Sequence, residues 1–581
     1  MKLTSVDFVV IATYFLLNLA IGFYYRRQGG KNIDEFFVSG RSAPWWLAGT
    51  SMVATTFAAD TPLAVTGMVA TGGIAGNWLW WNFGFSGMLT VFLYARLWRR
   101  AGVLTDVEFA EIRYSGKPAA FLRGFRALYL AIPINCIIMG WVNLAMVKVL
   151  MLVLGIEKVE AIFVVLGLTA LTCAVSALAG LRGVLVADLL QFVLMISLAI
   201  ALGVFAVQGV GGISELKSQL AAAGGDGGAL NFFPTADSAW MPMLTFFVYI
   251  AVSWWATWYP GAEPGGGGFI AQRMFAARDE RHSLLATLWF NVAHYAVRPW
   301  PWIFVGLVSI VAFPNLEDPE TGYVLVMLEY LPPYLRGLMI AGFAAAFMST
   351  ISTELNWGAS YLINDFYRRF IKPDASEQRL VSAARIATIL LALASAAITF
   401  YMDSIAGAWK LLLATGAGTG TVLILRWFWW RINAWSEVSS MIAAFVVSLS
   451  LQLVAGYNTD DPHDFALVML ITVGLTTVVW IAVTFLTDPE PEEKLVAFYR
   501  RVRPYATFWG PVARLAEDVT PSTGARRDLV SWVAGCGLIY GALLGMGKLL
   551  LGELSEAGLF ALIAAISVWL VWKGGAVTRV R

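Results

Sequence analysis

The chain has 581 residues, of which 59% are hydrophobic and 13% charged, with a formal net charge of +2. A soluble domain carries about 25% charged residues, so the composition excludes a soluble globular protein. With no basic tract, it gives no reason to expect a nucleic-acid partner.

Apolar runs of about 20 residues, long enough to cross a bilayer as helices, recur along the whole length. They read as an all-α polytopic membrane protein. In chain order the candidate spans are 8–25, 44–68, 78–95, 120–154, 160–180, 186–207, 240–260, 283–312, 332–366, 380–402, 406–426, 435–455, 465–487, 530–551 and 557–574. The runs 120–154 and 332–366 are too long for an upright span and are expected to tilt or project. Met1-Lys2-Leu3 offers no charged leader with a cleavage site, so the first run is expected to be retained. Cys136, Cys173 and Cys536 lie in apolar runs without metal-ligand spacing, and His282, His294 and His463 are too scattered for a metal cluster.

Every second loop is rich in Lys and Arg, as at Arg26, Arg27 and Lys31, at Arg96, Arg99 and Arg100, at Arg182, at Arg273 and Arg278, and at Arg368 and Arg369. The loops between are acidic or poor in positives. This pattern predicts an external amino terminus and a cytoplasmic carboxyl terminus in the plasma (inner) membrane. Segment 488–529 then lies in the cytoplasm, and 489–517 reads as a short amphipathic surface helix.

Two segments do not read as plain helices. Within 50–67, Asp60-Thr61-Pro62 places a carboxylate mid-membrane, costly unless it lines a cavity, beside a residue that removes a helical hydrogen bond. Within 254–273, Pro260, Pro264 and the run Gly265 to Gly268 break a helix, either inside the membrane or as a loop beyond its edge. Broken helices at corresponding positions of two halves point to an inverted-repeat transporter with its site at the midplane. A third feature is a hydroxyl-rich helix face: Ala346, Ser349, Thr350 and Thr353 recur three or four residues apart, and Ser352 widens the face. Such oxygens suit a hard cation such as Na⁺. They also suit plain helix–helix contact in a membrane.

Three motifs resemble the sodium:solute symporter family. These are Asp34-Glu35-Phe36-Phe37-Val38-Ser39-Gly40-Arg41 with Trp45-Trp46 and Gly49-Thr50-Ser51, then Gln272-Arg273-Met274-Phe275-Ala276-Ala277-Arg278, then Ala346-Phe347-Met348-Ser349-Thr350 with Asp365 and Tyr367. The resemblance runs from Asp7 to about Trp435. It implies a LeuT-type 5+5 inverted-repeat core over 44–431, preceded by a peripheral helix and loop in 1–43 and followed by about four accessory helices in 432–581. It also implies a first sodium site made by the carbonyls of Ala54, Phe57 and Ala346 and the hydroxyls of Ser349 and Thr350. A second site would use Asp188 with Ser349, Ser352 and Thr353, so that one or two Na⁺ ions serve as the only cofactors.

The expected function is sodium-driven import of a small polar solute by alternating access, foremost a sugar or sugar derivative, with an amino acid, a carboxylate or another organic solute as the alternative. A monomer is expected to suffice. Asp60-Thr61 stands where sugar-carrying relatives have Glu-Gln, and Phe269 replaces their gating Tyr, so the pocket is no copy of theirs. The solute-binding candidates are Asp60, Thr61, Trp81, Asn82, Asn143, Trp255, Trp258, Glu263 and Arg298. Arg298 reads either as the ion-pair partner of Asp60 or Glu263, or as the group that captures a substrate carboxylate. A non-transporting sensor is the alternative from another class. No HExxH or GxSxG motif supports an enzyme.

Overall fold

The computed structural model describes residues 41–103, 105–224, 228–235, 241–256 and 263–574, with isolated positions among the first forty. The expected span 8–25, the motif residues 34–40, Trp258 and 259–262 lie outside the described residues. The described chain is helical, and its β pairing is limited to the isolated bridges Ala43–Ala277 and Tyr505–Ser522. Nine described helices are long and apolar enough to cross a membrane, or up to eleven with each of two bent pairs counted as one span.

The first bent pair is α1 (Trp45–Thr55) with α2 (Asp60–Gly72), set at 61°. Asp60 opens α2, where a carboxylate favours the positive end of the helix. Pro62 falls in the first turn, where its missing N–H leaves no bond unmade. The break expected from Asp-Thr-Pro is therefore present, with Phe57 N–H turned back to the Ala54 carbonyl at 2.9 Å.

The run 78–101 follows, kinked where Asn82 Nδ2 donates to the Trp78 and Leu79 carbonyls at 2.9 and 2.8 Å. Next comes α3 (Gly116–Leu154), a single 39-residue helix. The two spans expected at 160–180 and 186–207 form one helical stretch of 52 residues, α4 (Lys158–Gly209). The intervening sequence holds no Pro, and its Gly180 and Gly183 are carried within the helix, so the loop expected around Arg182 is helical instead.

The second break also lies inside the protein. Helix α5 (Met243–Trp255) ends, and the chain resumes as α6 (Gly268–Ala276). Gly265 and Gly266 take φ of +94° and +81°, open to glycine at no steric cost. Both are buried, and Trp98 Nε1 donates to the Gly265 carbonyl at 2.6 Å. The glycines are thus packed in the protein interior rather than in an exposed loop.

Beyond α7 (Glu280–Ala312), α8 (Pro333–Ile371) and α9 (Glu377–Phe400) comes a third break that the hydropathy does not announce: α10 (Ile405–Gly416) and α11 (Gly420–Phe428) bend by 51°. A Cβ on Gly420 would lie 1.4 Å from the Trp255 carbonyl oxygen, so the restart of α11 passes directly against the end of α5.

Helices α12 (Ala434–Leu453) and α13 (Pro462–Leu486) pair with each other, as do α15 (Ala525–Leu550) and the outermost α16 (Leu554–Lys573). Between the two pairs, α14 (Glu492–Val502) is shorter than the amphipathic segment expected at 489–517. Its Leu495, Phe498, Tyr499 and Val502 are buried against the protein rather than presented to lipid. Trp509 Nε1 then donates to the Trp427 carbonyl at 2.8 Å, Lys494 Nζ to the Glu111 carbonyl at 2.5 Å and Arg501 Nε to the Ala101 carbonyl at 2.7 Å. The segment is a strap across the end of the molecule that carries Arg96, Arg99 and Arg100.

Candidate functional site

The first break, and the start of α6 after the second, border a cavity lined by residues of α1, α2, the run 78–101, α3, α6, α7, α8 and α10. Its walls carry Trp80, Trp141, Trp409, Phe269, Phe290 and Tyr295, and its polar groups are Thr55, Thr56, Asp60, Thr61, His294, Arg298 and Thr350. Asp60 Oδ1 is buried and has no hydrogen-bond partner among the described residues. Thr61 Oγ1 donates to the Thr56 carbonyl at 3.2 Å. Arg298, fully buried on α7, donates through NH1 to Thr56 Oγ1 at 3.0 Å and to the Val53 carbonyl at 3.3 Å, and its guanidinium lies 4.9 Å from the Trp302 ring centre. The free volume is only ≈ 70 Å³. Pockets for small molecules run to about 300–1,000 Å³, so the site is closed on itself and must widen to admit a solute.

Three of the expected solute residues thus share the cavity: Asp60, Thr61 and Arg298. Trp81 does not. It faces Trp78 and Trp300 at 5.8 and 6.4 Å, and its neighbour Trp80 takes the cavity wall. Asn82 spends its amide on the kink described above. Asn143 Nδ2 turns to α9, donating to Ser395 Oγ and Thr399 Oγ1 at 3.3 and 3.2 Å. Trp255 abuts α11 through its carbonyl. Glu263 is drawn to the basic end, 3.6 Å from Arg126, which also pairs at 3.2 Å with Glu437; Arg426 meets the same Glu437 at 3.2 Å. Asn143 and Glu263 are engaged by distant elements that the local sequence does not show, whereas Asn82 bonds within its own helical turn.

Trp80, Trp141, Trp409, Phe290, His294 and Tyr295 are cavity residues absent from the expected set. For His294 a signal existed, because it stands four residues before Arg298, on the same helix face.

The hydroxyl face of α8 crosses α1 at its break. Thr350 Oγ1 donates to the Thr55 carbonyl at 3.3 Å, bringing 346–350 against 54–57. Ser349 Oγ donates to Asp188 Oδ1 at 3.0 Å, and Ser51 Oγ to Asp188 Oδ2 at 2.6 Å. Ser352 and Thr353, half-buried, continue the face by one turn. Arg273 adds a feature that the hydroxyl pattern does not contain: its guanidinium lies 3.9 Å from Asp188 and donates to Ser51 Oγ at 3.3 Å. Hydroxyl and carbonyl oxygens gathered at a helix break suit Na⁺.

A cavity between discontinuous helices, flanked by an oxygen-rich crossing, defines a secondary transporter. A family model, the sodium:solute symporter family, matches residues 36–444. The chain belongs to that family: it is a multi-pass, sodium-coupled transporter of a small solute and not an enzyme. Among its relatives, sodium/glucose cotransporter 4 of Danio rerio is 25% identical, over 92% of this chain and 88% of that one. Sodium/myo-inositol cotransporter 2 of Sus scrofa is 25% identical over 79% and 72%. The sodium/glucose cotransporter of Vibrio parahaemolyticus is 22% identical over 78% and 86%. A solved Na⁺-coupled sialic acid symporter, in a substrate-bound outward-open state, superposes with a TM-score of 0.65 at 21% identity, covering 84% of this chain and 99% of that one. It shares the fold, a LeuT-type arrangement of helices.

Proposed function

We propose that this chain imports a sugar or polyol together with Na⁺, using 44–431 as the transport core. The observation that carries the reading is the cavity at the α1–α2 break. Flat Trp80, Trp141 and Trp409 rings can stack the apolar face of a pyranose or cyclitol, while Asp60, Thr61 and His294 meet its hydroxyls. The named sugar and inositol relatives support the same class. Na⁺ would be held where α8 crosses α1, by the carbonyls of Ala54, Phe57 and Ala346 and the hydroxyls of Ser349 and Thr350. That position couples the broken helix to the ion, so each ligand favours binding of the other.

A second ion at Asp188, Ser349, Ser352 and Thr353 would compete with Arg273, which already faces Asp188. The reading therefore takes one ion as the working number and a second only when Arg273 moves away. The basic end is assigned to the cytoplasm, the amino terminus to the outside, the membrane to the plasma membrane and the transport unit to a monomer.

Arg298 in the cavity favours one competing reading, capture of a carboxylate-bearing solute. The test is uptake into proteoliposomes with an inside-negative potential, using D-glucose, D-galactose, D-mannose, myo-inositol, D-glucuronate, sialic acid and L-proline, in Na⁺ and in K⁺. Accumulation of a neutral polyol in Na⁺ alone is expected. Accumulation of only carboxylates would replace the sugar reading with the competing one. Binding without accumulation would return the chain to the sensor class.

A further inference from the structure

The proton arrangement around one half-buried hydroxyl fixes what His294 offers to the solute. Thr56 Oγ1 lies 2.8 Å from the Val53 carbonyl, 3.3 Å from the Met52 carbonyl, 3.0 Å from Arg298 NH1 and 3.1 Å from His294 Nδ1. A hydroxyl holds one proton and two acceptor lone pairs, and an arginine can only donate. The proton goes back to the helix at Val53, the shortest contact and a common habit of Thr in helices. Arg298 takes one lone pair. His294 Nδ1 meets the other and must donate to it, so the ring proton is on Nδ1. A second positive charge on the same hydroxyl would oppose the buried guanidinium at short range, so the imidazole is neutral. Its Nε2 therefore carries a lone pair.

Among the described residues no protein group bonds to Nε2, and the half-buried ring lines the cavity. Its orientation is held by aromatic neighbours: Tyr295 at 4.4 Å and 78°, Phe290 at 5.0 Å, and Trp80 at 5.6 Å and 88°. An acceptor held in a fixed direction, in a cavity that Asp60 also lines, makes this wall a place for hydrogen-bond donors.

We propose that His294 is a binding residue that accepts, through Nε2, the proton of one particular solute hydroxyl, with Thr56 and Arg298 as positioning residues that set the tautomer. The inference rests on the sugar or polyol reading and sharpens it: the solute presents an O–H, not a bare acceptor, at that point.

The test is Na⁺-dependent uptake of D-glucose and D-galactose and of their single-position deoxy and deoxyfluoro analogues, by the wild type, His294→Phe and His294→Gln. Fluorine keeps the polarity of the position but cannot donate. The wild type should lose about tenfold in affinity for the deoxy and deoxyfluoro analogues at one position, the size of one hydrogen bond. His294→Phe keeps a ring among the aromatics. It should lose about tenfold for the parent sugar and no longer distinguish that one analogue, while penalties at the other positions persist. His294→Gln, with an amide oxygen as acceptor, should retain part of the discrimination, and Thr56→Ser should keep it where Thr56→Val loses it. A positional pattern unchanged in both His294 variants, with affinity unchanged or uniformly lower, would overturn the proposal and leave the sugar reading standing. Wild-type uptake of carboxylates alone would overturn both.

Discussion

Trp509 offers a direct measure of what the strap does. Its side chain is fully buried, its ring lies 5.3 Å from Phe498 at 25°, and the Arg113 guanidinium lies 4.9 Å from its centre. With the 2.8 Å bond to the Trp427 carbonyl, this is the point where the strap is most deeply anchored. Removing a buried Trp side chain costs about 3–5 kcal/mol where the surroundings stay in place. Here the strap can instead undock, which limits the loss to its own docking free energy. The strap joins three separately placed elements: the run 78–101 at Ala101, the start of the 109–113 helix through Glu111, and α11 at Trp427. A transporter that opens at this end has to move some of these apart, so strap docking counts toward the closed end. A loss of about 1.4 kcal/mol from that state alone makes the open form about ten times more populated. The assay is alkylation by a membrane-impermeant maleimide, applied from the strap side, of a cysteine at Ile270 in a chain whose three native cysteines are serines. Trp509→Ala should raise the alkylation rate about tenfold, as that free energy implies. Trp509→Phe, which keeps the stack and loses the N–H, should fall between. If Trp509→Ala lowers the melting temperature and leaves the alkylation rate unchanged, the strap is scaffold and has no part in gating.

Ser349→Ala and Thr350→Ala should each raise the Na⁺ concentration for half-maximal uptake severalfold, read by Na⁺ titration at fixed solute; unchanged values would return that face to plain helix contact. Glu437→Gln leaves Arg126 and Arg426 without their shared carboxylate, and breaking a buried pair costs about 3–5 kcal/mol, to be seen as a lower melting temperature in detergent. Gly420→Ala should yield no folded transporter, because its Cβ would fall 1.4 Å from the Trp255 carbonyl oxygen, whereas Gly474→Ala, with open space around it, should behave as wild type. Asn143→Ala should cost about 1–2 kcal/mol of stability for its bonds to α9 and leave the apparent solute affinity unchanged; an affinity loss would return Asn143 to the cavity.

What the sequence shows of this fold is what is local. Asp60-Thr61-Pro62 breaks its helix by its own chemistry, and the face through Ser349 and Thr350 follows from helical periodicity. The third break was hidden because Gly416-Ala417-Gly418-Thr419-Gly420 lies in an otherwise apolar run, and the need for it comes from the Trp255 carbonyl on another helix. The aromatic wall was misplaced by one residue, Trp81 for Trp80, because the short 3₁₀ turn Ile74–Asn77 just before them resets the phase of that run, which hydropathy alone does not record.

The carboxylates make the same point about function. Asp60 and Glu263 look alike in the sequence: each stands in a break, in an apolar run, with a proline one or two residues on. A buried charge must be answered by something. Glu263 is answered by the chain itself, through Arg126 in a cluster with Glu437 and Arg426, so it holds the basic end together. Asp60 is met by its place at the start of α2 and by Arg298 in the same cavity, while its Oδ1 has no hydrogen-bond partner among the described residues. On the sugar or polyol reading, a hydroxyl of the solute completes that oxygen. Which of two equivalent sequence signals marks the site is therefore decided by the placement of Arg126, more than a hundred residues away from Glu263, and not by anything near either carboxylate.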